Sequence, residues 1–77
     1  MISVVEWDSR SNQATLIGTP EQWAEARQRI ADDPAQSAVT RSRLTGQVDI
    51  ALAFTDSSNL IRVTVTTYDA ALILKRE

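Results

Sequence analysis

Along Ile2-Ser3-Val4-Val5-Glu6-Trp7-Asp8, the positions Ser3, Val5 and Trp7 alternate with Ile2, Val4 and Glu6, the period of two that a β-strand imposes. A second extended run, Gln13-Ala14-Thr15-Leu16-Ile17, follows the loop Ser9-Arg10-Ser11-Asn12. Asn tolerates the left-handed backbone that such loops need near their end, and Ser and Asp side chains hydrogen-bond the turn. The segment therefore reads as a β-hairpin. Pairing Asp8 with Gln13 sets Trp7 opposite Ala14 and Val5 opposite Leu16, placing Trp7 on the core side of its strand.

The period then changes. Thr19-Pro20-Glu21-Gln22 carries a helix start, with Thr19 as cap, Pro20 at the first helical position and Gln22 completing a capping box. Trp23, Ala26 and Ile30 share one helical face, while Glu21, Glu25, Gln28, Arg29 and Asp32 lie largely elsewhere. Asp32-Asp33-Pro34 ends this helix, and Asp33 is placed to cap the turn that follows.

A second polar loop, Asp56-Ser57-Ser58-Asn59, also separates two apolar runs and predicts a second hairpin. Opposing Thr55 to Leu60 aligns Phe54 with Ile61, Leu52 with Val63 and Ile50 with Val65 on one face. The other face then carries Asp49, Ala51 and Ala53 against Thr66, Thr64 and Arg62. Between the helix and this hairpin, Asp33-Pro34 can open a second helical turn, or Ala38 to Leu44 can run extended; a turn followed by a strand is the reading adopted. Thr45-Gly46 would then join that strand to the next, with Gly46 at positive φ. Beyond Tyr68-Asp69, residues 70–77 form either a last strand or a short helix capped by Asp69, its C-terminal dipole faced by Lys75 and Arg76. These elements predict an α+β fold: an N-terminal hairpin, one helix, then an antiparallel β-meander, with the helix packed on one face of the sheet.

Seventy-seven residues accommodate a single compact domain, 1–77, with a small core. The chain has no cysteine, so disulfides and thiolate chemistry are excluded, and no histidine, so neither a Ser-His triad nor an imidazole metal ligand can be built. Its acids are scattered without a calcium-loop pattern, and Gly18 and Gly46 cannot form a phosphate-cradling loop. Asp32 and Asp33 are neighbours in sequence and do not face each other as an acid–base pair. The expectation is a non-enzymatic chain without cofactor or metal.

No run approaches the ~18 apolar residues of a membrane helix, and the amino terminus lacks the basic flank of a signal peptide. A soluble cytoplasmic protein is expected, not bound to membrane. Every base except Lys75 is arginine and alanine is abundant, a bias typical of GC-rich coding that suggests bacterial or phage origin.

The formal charge of −2 does not favour nucleic acid. Arg41 and Arg43, two apart on the expected strand and remote from any acid, would form a basic ridge facing an acidic protein surface or guarding a sheet edge. With Arg62, Thr64 and Thr66 of the expected sheet face, they are the candidate partner-binding residues. Another protein is the expected partner, with the chain acting as a stoichiometric inhibitor or accessory factor, in the general character of small immunity proteins or phage-encoded inhibitors. The alternative is a structural module that homodimerises through an exposed strand or sheet face.

Overall fold

A computed structural model describes residues 2–54 and 60–74. The order of elements is β1 (Ser3–Asp8), β2 (Gln13–Gly18), α1 (Pro20–Ala31), α2 (Ala38–Ala53), β3 (Ile61–Thr66) and α3 (Thr67–Leu74). The strands form one antiparallel sheet in the order β1-β2-β3, so β2 is central and β1 lies at an edge. This is an α+β fold with helices packed on the sheet.

The first hairpin follows its polar loop. Asn12 takes φ 59°, the left-handed conformation expected there, and the Asp8 carboxylate accepts from the backbone N–H groups of Arg10 at 3.0 Å and Ser11 at 3.4 Å. Asp8 pairs with Gln13 and Trp7 with Ala14. The expected pairing of Val5 with Leu16 does not form. A β-bulge intervenes, so that Val4 opposes Leu16, Glu6 opposes Thr15, and Val5 is the extra residue.

α1 is built as its start signals require: Thr19 Oγ1 accepts from the Gln22 N–H at 3.1 Å, and Gln22 Oε1 accepts from the Thr19 N–H at 2.8 Å. Trp23, Ala26 and Ile30 are buried. Asp33 also acts as expected, its carboxylate accepting from the Ala35 N–H at 2.9 Å.

The expected meander is replaced by helix. Residues Ala38–Ala53, read as a strand, a tight turn and the first half of a hairpin, form the continuous helix α2, capped by Ser37, whose hydroxyl accepts from the Thr40 N–H at 3.1 Å. Gly46 is therefore helical, with no positive φ. The face that decides the matter is Leu44 and Val48, four apart and both buried, with Ala51 and Leu52 packed against the core beside them. Ile50 and Phe54, assigned to an inner strand face, are exposed instead. Their pairing with Val65 and Ile61 is absent because β3 pairs with β2. The loop at 56–59 lies outside the described residues.

The C-terminal alternative resolves to helix α3 over Thr67–Leu74, though Asp69 is not its cap. Thr66 caps it, with Oγ1 accepting from the Asp69 N–H at 3.1 Å. Lys75 and Arg76 lie outside the described residues.

One sheet face builds the core. Ala14, Leu16 and Gly18 of β2 stand opposite Val65, Val63 and Ile61 of β3, and α1, α2 and α3 cover this face. The opposite face carries Gln13, Thr15, Arg62, Thr64 and Thr66, with the Thr15 and Thr64 hydroxyls 3.1 Å apart in hydrogen-bond contact. The helices pack mainly on β2 and β3, whereas β1 makes its main contacts with β2.

Candidate functional site

The proposed partner-binding residues do not form one surface. Arg41 and Arg43 sit on α2, where residues two apart diverge around the helix. Arg41 donates from Nη1 to the carbonyls of Asp33 at 2.9 Å and of Gln36, closing the loop between α1 and α2. Arg43 donates to the buried Asp69 carboxylate at 2.7 Å, tying α2 to the first turn of α3. Both arginines hold the fold together, and the expected basic ridge is absent. Arg62 and Thr64 do share the uncovered sheet face, as expected from alternation. Thr66 lies on the same face but caps α3. The companion surface of Asp49, Ala51 and Ala53 is lost, since all three belong to α2. Asp49 instead receives Arg27 in a two-pronged ion pair, with Nη2 donating at 3.0 Å, which holds its carboxyl below the usual aspartate range.

Beside the end of α1 lies an open cleft of about 490 Å³, lined by Glu25, Arg29, Asp33, Pro34, Leu44 and Leu72. Arg29, one of its lining residues, donates to the Ile73 carbonyl at 2.7 Å and joins α1 to α3. Among the described residues, no three acidic side chains converge as metal ligands would.

The conspicuous surface is β1. Trp7 is 47% exposed, Val4 46% and Val5 50%. The expected core position of Trp7 is thus corrected. Its partner Ala14 is buried and Trp7 shares that face, but the helices leave β1 largely uncovered. Trp23 alone of the two tryptophans is a core residue, fully enclosed. Among the described residues, no strand pairs with the outer backbone edge of β1. An unpaired edge offers N–H and C=O groups to another chain; β1 carries neither lysine nor proline to block it, and its bulge at Val5 with Glu6 and Asp8 shapes what can pair there. The sequence displayed the residues of β1 but not their position, because edge placement depends on β3 pairing with β2 across an intervening stretch of two helices.

No family model matches the chain, and neither a curated protein nor a solved structure does.

Proposed function

We propose that this chain is a non-enzymatic protein-binding domain that engages its target by strand addition at the free edge of β1. The observation that carries this reading is the coincidence, on one six-residue strand, of three half-exposed large apolar side chains, Val4, Val5 and Trp7, with a backbone edge to which no described strand pairs. In strand addition the backbone ladder supplies affinity and alternate side chains supply selectivity. Tryptophan is favoured at the centre of such contacts because it brings a large rigid surface at small entropic cost. Used in this way, the domain serves as a stoichiometric inhibitor or accessory factor. Arg62 and Thr64 remain available on the open sheet face for secondary contacts.

The test is capture on the immobilised protein from an extract of its source cells, with Trp7→Lys and Val39→Lys compared against the unaltered chain. Val39 is exposed on α2 and serves as the control. One protein recovered in near-equal stoichiometry, lost with Trp7→Lys and kept with Val39→Lys, is the expected result. Recovery of nucleic acid alone would sink the reading, and capture indifferent to Trp7→Lys would remove β1 from it.

A further inference from the structure

We infer that, without its target, the edge of β1 is occupied by β1 of a second copy, in an antiparallel pair that places Val4 of each chain opposite Trp7 of the other. The inference rests on the reading of β1 as the docking edge and names that edge's resting occupant.

The bulge makes this register available. In a regular strand, side-chain direction follows residue parity, so Val4 and Trp7 would point to opposite faces and could not oppose each other in a symmetric pair. The extra residue Val5 shifts the alternation by one. Val4 and Trp7 now both lie on the core face, opposite Leu16 and Ala14, while Ser3, Glu6 and Asp8 lie on the outer face, opposite Ile17, Thr15 and Gln13. About a point between Val5 and Glu6 the outer four residues are symmetric, with Val4 and Trp7 on the core face and Ser3 and Asp8 on the outer face. Placing a twofold axis between Val5 and Glu6 pairs Ser3 with Asp8 and Val4 with Trp7. This register keeps the faces of those four residues matched.

Three further features favour a second copy as the occupant. The axis stands perpendicular to the sheet, so both helical layers fall on the same side of a continuous six-stranded antiparallel sheet. On that side, each Trp7 lies across the strand pair from a Val4, and the two half-exposed side chains cover each other. On the other side, Asp8 stands opposite Ser3, so the two Asp8 carboxylates are held apart.

A ladder of at most six residues a side falls short of the roughly 20–30 residues a side of a standard complex, so the dimer is expected to be weak. Sedimentation equilibrium from ~5 μM to ~1 mM suits a weak dimer. The mass is expected to rise toward twice that of one chain, and Trp7→Lys and Val4→Arg are each expected to hold it at one chain, with unchanged circular dichroism. Because the chain has no cysteine, register can be read by disulfide trapping. A mixture of Ser3→Cys and Asp8→Cys chains should cross-link faster than either variant alone. A single-chain mass throughout, a dimer insensitive to both β1 substitutions, or cross-linking no faster in the mixture would each overturn the inference. If the chain stays monomeric while target capture is still lost with Trp7→Lys, self-pairing falls and the docking reading stands. If the dimer forms as described but no target depends on Trp7, the docking reading falls alone.

Discussion

The indole N–H of Trp23 donates to the carbonyl of Ile61 at 3.1 Å, fastening the first helix to the strand that follows the second. Trp23 is fully enclosed and Ile61 nearly so, which leaves neither group water as an alternative partner. Trp23→Phe removes the donor, strands the carbonyl and opens a void. The expected loss is about 2–4 kcal/mol, combining an unpaired buried acceptor with reduced packing. Urea unfolding checks it; an unmoved midpoint would contradict the account.

The two glycines should respond in opposite directions to the same substitution. A Cβ at Gly18 would stand 3.0 Å from Ile2 Cγ1 and 3.2 Å from both Gln22 Oε1 and Trp23 Nε1. Two of those atoms are held by their own hydrogen bonds, so Gly18→Ala is expected to cost about 1–3 kcal/mol through overpacking. At Gly46 a Cβ meets nothing within 4 Å. Gly46→Ala in the middle of α2 should stabilise the protein by about 0.5–1 kcal/mol. Thermal melts of both variants give the comparison. A destabilised Gly46→Ala would speak for the turn expected from sequence and against the helix.

Arg43 and Asp69 join α2 to α3, and the Asp69 side chain is only 7% exposed. Gln47 Nε2 reaches the same carboxylate at 3.5 Å, while its buried Oε1 has no hydrogen-bond partner among the described residues. Arg43→Ala would leave the Asp69 charge poorly compensated. Since the arginine is itself partly exposed, the expected loss is about 2 kcal/mol, below that of a fully buried pair. Double-mutant analysis with Asp69→Asn should recover part of it. Additive losses would mean that the pair contributes little.

Acid should weaken the fold through specific carboxylates. Hydrogen bonds from Ser11, side chain first, and from the Arg10 backbone lower the pKa of Asp8; the bond and charge of Arg27 lower that of Asp49. A lowered folded-state pKa means that the unfolded chain takes up protons first. Their stabilisation is therefore complete above the ordinary aspartate value of ~3.9 and is lost as pH falls through the lower folded values. Urea midpoints should be level near neutrality and decline below ~4, less steeply in Arg27→Met than in the unaltered chain. An equal decline would remove the Arg27–Asp49 pair from the effect.

The local signals that proved legible were those whose physics is confined to a few neighbouring residues. The capping box at Thr19 and Gln22, the Trp23-Ala26-Ile30 stripe and the left-handed Asn12 all depend on contacts within one turn or loop. Residues 38–54 were less legible because they satisfy two periods. Val48, Ile50, Leu52 and Phe54 alternate as a strand would, while Leu44, Val48 and Leu52 recur every four positions. The helical set wins because it meets the core, and Ile50 and Phe54 are left exposed. Ser37, three residues before Thr40, was the available signal for that helix. The candidate site was less legible still. Val4, Val5 and Trp7 look like core residues in sequence, and only the order of strands leaves them half-exposed.

That order also gives the molecule two tiers of protection. β1 is held chiefly by one ladder to β2, interrupted at Val5 and anchored at its start by the buried Ile2. Leu16, Trp23, Leu44, Val48 and Ile73, the largest enclosed side chains, all come from the other elements. Separation of β1 would therefore leave most of the core assembled, and its amides should exchange with deuterium through a partial opening well below the free energy of global unfolding. Whatever pairs with its outer edge would slow that exchange, so the strand that can accept a partner is also the one that partner would protect.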